Sequence, residues 1–329
     1  MQIILSFLVP LLFVTTIICK AQTTLQEQFK NLQTGTELPE TLQSGRSAVF
    51  LKLNQSNPRD TIDWYQTADE LHKNLMTLYI DAVAYYRWRD LNAGYDATGS
   101  YLTALADREI SQIIVLEIAR NSYDIYIIPT DLESPELLDL SQPAWHASGS
   151  SLEGVMENLT AVARRTDLER ENFLISESPE LFYDTSIFAK NRFESFQPDL
   201  KLDKLAVPLF YGTDVESPEH QWDQELKEIM RSQYPFTYEL VAANMTEDLM
   251  QKAGFHYVLR YLHAEEQTLR TLLDYQGPAD QPTQIAYKYY FKHLITGDIY
   301  LGDTWDSRPD WQQALMLHLT KLRRSLKVE

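Results

Sequence analysis

"LADREISQIIVLEIA" at 105–119 and "LMQKAGFHYVLRYLHA" at 249–264 read alike. Each opens as a short amphipathic helix and passes into an alternating strand. In the second stretch Tyr257, Leu259, Tyr261 and His263 point one way and Val258, Arg260 and Leu262 the other, since side chains alternate along a strand. A helix–strand unit met twice at long spacing asks whether its surroundings repeat as well.

They do. In the second half "KLAVPLFY" (204–211) is a buried strand in which Pro208 favours an edge or a bulge. Ser217 and Pro218 open a helix whose inward face is Trp222, Leu226, Ile229 and Met230. "TYELVA" (237–242) is a strand, Thr246 caps a short helix, and Gly254 ends it. After the quoted strand, "TLRTLLDY" (268–275) reads as another strand, and 285–302 as a hairpin turned at Thr296-Gly297-Asp298. Asp310 caps a closing helix with Trp311, Leu315, Leu319, Leu322 and Leu326 inward.

The first half follows the same order. "SAVFLKL" (47–53) is a strand. Thr67 and Glu70 form a capping box for a helix with Leu71, Leu75, Leu78 and Ala82 inward. "YYRWRDL" (85–91) is a strand, and a short helix starts near Ser100. "QIIVLEIA" and "YDIYIIP" pair as a hairpin, and Leu152, Val155, Met156, Leu159 and Val162 mark the closing helix. The expectation is an α/β (α+β) fold of two similar β-α-β-α-β-β-α domains, at 47–165 and 204–329, from an internal duplication. The spacing grows from 144 residues (Leu105 to Leu249) to 160 (Met156 to Met316), which suggests an extra strand pair at 285–302 where the first copy has the loop 129–149.

Outside the repeats, the apolar run from Ile3 to Ile18, followed by Cys19-Lys20-Ala21, fits a secretory signal over 1–21, although no basic residue precedes it. An uncleaved anchor and a lipid on Cys19 are the alternatives. Residues 22–46 read as a mobile amino-terminal segment. The connector 166–203 is too apolar for a solvated linker. Its Phe182 and Phe188 either bridge the copies or present a partner surface.

The formal charge is −18, and loss of the leader removes one Lys and no acid, leaving −19. That disfavours nucleic acid and anionic lipid, which reward clusters of Lys and Arg. A secreted or periplasmic protein with no membrane span after cleavage is expected. Cys19 is the one cysteine, so the cleaved chain has no disulfide.

From 204 to 326, "KLAVPLF", "EDLMQKAGFHYVLRYLHA", "HLITGDIYLGDTWD" and the closing helix resemble the periplasmic fold shared by the TolB amino-terminal domain, the CsgG curli-secretion lipoproteins and the LpoB-type cell-wall synthase activators. The resemblance covers about a third of the chain and implies a non-catalytic envelope protein that binds an envelope protein or cell-wall component. It supplies no catalytic residues.

No sequence signature of chemistry stands out, and no cofactor is implied. There is no HExxH, GxSxG or Gly-rich phosphate loop. His256 and His263 are seven apart and so face opposite ways on a strand. His318 reads as a packed histidine beside an apolar stripe. Asp298, Asp303 and Asp306 read as turn acids, with Ca²⁺ the rival reading. Ser148, Ser150 and Ser151 read as caps. Trp305 and Trp311 could line a groove for a glycan or peptide. The sequence therefore points to binding or assembly in the bacterial cell envelope, with a secreted hydrolase using a carboxylate pair between the domains as the alternative.

Overall fold

The computed structural model describes residues 25–53, 62–120, 122–130, 138, 140–181, 191–210 and 218–328. The readings of 1–21, Cys19, Phe182, Phe188 and Ser217 lie outside these residues. Among the described residues no helix is long and apolar enough to cross a membrane.

Two six-stranded mixed sheets organise the chain. The first contains β1 (Thr34–Gly35), β2 (Arg46–Leu53), β3 (Asp81–Arg87), β4 (Ile110–Ala119), β5 (Ser122–Pro129) and β6 (Ala144–Gly149), in the order β1-β6-β5-β4-β2-β3. The second contains β7 (Arg192–Phe193), β8 (Leu205–Pro208), β9 (Tyr238–Val241), β10 (Tyr257–Glu265), β11 (Ile285–His293) and β12 (Ile299–Tyr300), in the order β7-β12-β11-β10-β8-β9. Counted within its own half, each strand has the same place in both sheets. Every pairing also has the same sense: β2 is parallel to β3 and β4 as β8 is to β9 and β10, and the hairpin and closing pairs match as well. This is the duplicated α+β arrangement expected from the sequence.

Alternation along the strands sends apolar side chains to both faces of each sheet, so both faces need cover. In the first sheet Val49, Leu51, Ile114 and Leu116 pack under α2 (Trp64–Thr77) and α5 (Leu152–Arg165). Ala48, Phe50, Ile113 and Val115 pack on the other face under α3 (Trp88–Leu91) and α4 (Tyr95–Asp107). In the second sheet Leu205, Val207, Leu259 and Phe291 lie under α6 (Pro218–Gln233) and α9 (Trp311–Ser325). The opposite face is shared. Leu262, Ala264, Ala286 and Tyr290 meet α8 (Glu266–Leu272) and also Ala93, just before α4, and Ala97 in its first turn. Thus α4 is a common layer, its amino end on the second sheet and its Tyr101 and Leu105 on the first.

The approach is close: His263 N donates to Ala93 O at 2.6 Å. A Cβ on Gly94 would stand 2.5 Å from Tyr261 O, so only glycine fits there.

Several sequence readings change. The cap of α2 is Asp63, which accepts from Tyr65 N at 2.9 Å, one turn before Thr67; the helix ends at Thr77, and Ala82 belongs to β3. Residues 88–91 leave the strand as α3, and α4 starts at Tyr95, before Ser100. "TLRTLLDY" is not a strand. It lies in α8 and the turn that follows, with Thr268, Leu269 and Leu272 buried at helical spacing. The extra length of the second half is therefore this helix and its loop: 266–284 separates β10 from β11, where 120–121 separates β4 from β5. The first half does have a strand in 129–149, namely β6. Pro208 closes the central strand β8 rather than marking an edge, since a proline at the strand's last residue is tolerated there. Within the segment 22–46, expected to be mobile, residues 34–35 form β1 and Leu38 and Leu42 are buried.

The connector joins the first sheet briefly. Tyr85 N donates to Glu180 O at 3.1 Å, Leu181 bridges Tyr85 in parallel, and Arg108 holds the Glu180 carboxylate at 3.0 Å.

Candidate functional site

The carboxyl ends of parallel strands from both sheets converge on one cleft of about 630 Å³ between the halves. Leu51–Leu53 end β2, Arg87 ends β3, and His263 and Glu265 end β10. Such carboxyl ends are where open α/β sheets place ligand crevices, because helix and loop departures leave a hollow there. A second hollow of about 430 Å³ adjoins the first through Trp64, Arg87, Glu265 and Thr283.

The wall is aromatic. Phe29, Trp64 and Trp88 line the cleft with Leu51, Leu53, Ile62 and Ile285. Phe29 meets Trp88 with ring centroids 5.0 Å apart. Around these rings stand four cations, Lys30, Lys52, Arg87 and Arg89. The Lys52 ammonium lies 4.6 Å from the Phe29 centroid and 3.0 Å from Glu117. The Arg87 guanidinium lies 5.7 Å from the Trp64 ring.

Arg87 is the node of the cleft. It donates Nε to Asp90 at 2.9 Å, one terminal nitrogen to Glu265 at 2.8 Å, and the other to the Thr268 hydroxyl. Arg89 takes the second oxygen of Glu265 at 2.6 Å. One carboxylate from the second half thus ties down two guanidinium groups of the first. Burial raises the Asp90 carboxyl despite the neighbouring Arg87. Burial, with help from Arg89, lowers the His263 imidazole, so that ring is neutral at pH 7; it stacks on Tyr287 at 4.0 Å. Asp90 and Glu265 are both clasped to Arg87. Among the described residues four cations line the cleft and three carboxylates, Asp90, Glu117 and Glu265, pair with them, a local excess of positive charge in a chain of net charge −18.

A second polar cluster fastens the halves beside this cleft. Asp96 on α4 accepts from Tyr290 Oη at 2.6 Å and from Lys292 Nζ at 2.8 Å, across the interface. Glu247, at the start of α7 (Glu247–Lys252), takes Lys292 at 2.9 Å and Arg260 at 3.3 Å, and the Arg260 guanidinium sits 4.0 Å from the Tyr95 ring. Burial alone would raise the Asp96 carboxyl, but Arg260 and Lys292 outweigh it and hold the group below its ordinary range.

Of the residues singled out in the sequence, Trp305 and Trp311 are not brought together. Trp311 is buried with Phe210 and Trp222 on the α9 face, whereas Trp305 packs from the opposite face on Tyr275 and the Arg270 guanidinium. His256 pairs with Asp203 at 2.9 Å. His318 is a core histidine: its Nδ1 lies 3.1 Å from Asp306, whose other oxygen is 2.6 Å from the fully buried Lys288. Asp306 is therefore a counter-ion, and Asp298 accepts from Thr296. Among the described residues no group of three His, Cys, Asp or Glu side chains could hold a metal ion. Ser151 does cap α5, bonding Gly154 N at 3.2 Å. Arg87, Trp88, Arg89 and Glu265 went unnoticed in the sequence; the alternation of cation and aromatic in "YRWRD" (86–90) was the available signal.

Comparison of the chain with protein-family models, curated proteins and solved structures finds no match.

Proposed function

We propose that this is an exported, non-catalytic binding protein of the bacterial cell envelope, and that the cleft between its halves takes a small organic anion with a flat apolar part. The observation that carries the reading is the cleft's lining: Trp64, Trp88 and Phe29 beside Lys52, Arg87 and Arg89. A volume of about 630 Å³ suits a ligand of drug-like size. Aromatic walls take an apolar plane, and guanidinium groups supply charge-assisted hydrogen bonds to an anion. Clasping by Arg87 suits Asp90 and Glu265 to holding the cleft's shape, a task different from the proton transfer that the hydrolase alternative asks of a carboxylate pair. What supports the envelope reading is the resemblance of 204–326 to the periplasmic fold of the TolB, CsgG and LpoB-type proteins, together with the apolar run from Ile3 to Ile18.

The test uses 8-anilinonaphthalene-1-sulfonate, an aromatic anion, followed by its own fluorescence and by tryptophan quenching. Arg89→Gln, whose side chain is 45% exposed, should weaken binding by about tenfold, one charge-assisted bond, without shifting the melting temperature. Trp64→Ala should weaken binding and reduce the quenching, leaving the share that comes from Trp88. Equal binding by wild type and both variants would refute the cleft as the site.

A further inference from the structure

We propose that the edge strand β9 is a docking site for an extended peptide segment of a partner protein. The segment would pair with β9 in parallel, as Glu180 and Leu181 pair with Tyr85 of β3. The proposal is independent of the ligand cleft.

The duplication supplies the argument. In the first sheet Ala48 is paired with Ala84, and in the second Ala206 is paired with Glu239. Ala48-Val49 and Ala206-Val207 hold matching places, alanine on the inner face and valine under the outer helices. Counting one residue on, Leu240 stands where Tyr85 stands. Tyr85 N points away from its sheet and is met by Glu180 O at 3.1 Å. In β9 the carbonyls of Thr237 and Val241 accept from Leu205 N and Leu209 N of the β8 segment. Residues between them in alternation, Tyr238 and Leu240, therefore turn their backbone groups outward. Among the described residues no backbone group meets them. Among the described residues nothing fills on the second copy the place that the chain's own connector fills on the first. An open strand edge is a template for main-chain pairing.

The same comparison sets the chemistry of the occupant. Leu181 packs into the cluster beneath α2. Its counterpart position lies beside Leu240 and the partly buried Tyr238 and Ile229, next to α6. A large aliphatic residue fits there. The residue before it faces the other way. In the first copy that residue is Glu180, held by Arg108. In the second it falls beside Glu239, a carboxylate 55% exposed and paired with Lys204. A basic residue is complementary, and the net charge of −18 favours it further. The expected motif is Lys or Arg followed by Leu, Ile or Val in an extended segment.

The experiment selects a displayed random-peptide library on the whole chain. Synthetic copies of the enriched peptides are then tested by fluorescence anisotropy and by amide hydrogen exchange. Enriched peptides should carry the basic–aliphatic pair and slow exchange at Tyr238 and Leu240. Leu240→Pro removes one outward N–H that the fold does not use and trims a partly buried side chain, so it should fold, melt somewhat below wild type and bind at least about tenfold more weakly. If that variant fails to fold, the exchange pattern of the wild-type chain decides. No enrichment, protection elsewhere, or equal binding by a folded Leu240→Pro would overturn the proposal. So would a dimer in sedimentation that Leu240→Pro dissolves, which would give the edge to a second copy of this chain.

Discussion

Asp96→Asn should loosen the joint between the two halves, and the structure sets the size of the effect. The carboxylate is buried and serves Tyr290 at 2.6 Å and Lys292 at 2.8 Å. Asparagine keeps the shape and an acceptor for Tyr290 but removes the charge. Glu247 must then serve both Lys292 and Arg260, whose side chains are 19% and 5% exposed. Breaking a buried pair costs roughly 3–5 kcal/mol when the survivor has no other partner. Here Glu247 remains at 2.9 Å from Lys292, so the expected loss is about 2–3 kcal/mol. For a chain of this size that lowers the melting temperature by about 5 °C. Tyr290→Phe, which leaves the ion pair intact, should cost only about 1 kcal/mol. The assay is thermal unfolding followed by circular dichroism. Because the two residues share one network, Asp96→Asn combined with Lys292→Met should cost less than the sum of the single changes. A melting temperature for Asp96→Asn within about 1 °C of wild type would refute the clasp as a source of stability.

Two further outcomes follow from the buried cluster in the second half. Asp306→Asn leaves Lys288, wholly buried, with two carbonyls at 2.8 and 2.9 Å as its remaining partners, and should cost about 3 kcal/mol or more, measured by denaturant unfolding. Stability should also fall in acid. Burial and Lys288 lower His318 to about 4, outweighing Asp306, so the unfolded chain binds more protons there; the stability is complete above about pH 6.5 and is lost as the pH falls toward 4. Asp306, raised by burial but held lower still by Lys288 and His318, adds a loss below the ordinary carboxylate range. A scan of melting temperature against pH should show this slope, and His318→Gln should flatten its part between 6.5 and 4.

Much of the fold was legible because its signals are local. The strands of β4 and β10 alternate, the caps Thr246, Ser151 and Asp310 stand where the hydrogen bonds place them, and the closing helices bury the expected faces. The misreadings have a common cause. Residues 85–91 and 268–275 are short apolar runs, too brief to separate a strand from a helical turn by period. Arg87-Trp88-Arg89-Asp90 reads locally as strand, and only its first residue belongs to one. Thr268, Leu269 and Leu272 lie on one helical face whose partners, Ala93 and Ala97, are about 170 residues earlier in the sequence. Nothing local marks that contact.

The cleft was hidden for a more instructive reason: its Arg87–Arg89–Glu265 side is built where the two copies differ. Between β3 and β4 the first half has α3 as well as α4, while the corresponding span between β9 and β10 has α7 alone. Between β10 and β11 the second half has α8 and a long loop, where in the first only two positions, 120 and 121, separate β4 from β5. Arg87, Trp88, Arg89 and Asn92 lie at the start of the first insert, and Glu265, Thr268, Pro282 and Thr283 at the edges of the second. The inserts meet through Arg87, Arg89 and Glu265. A reading that searches for repetition is blind to such a place by construction, since the repeated elements carry the sheets and their cover. The shared scaffold is visible in the identical strand orders, and Arg89→Gln is the substitution that separates function from fold: Arg89 lies in an unrepeated insert and its side chain is 45% exposed.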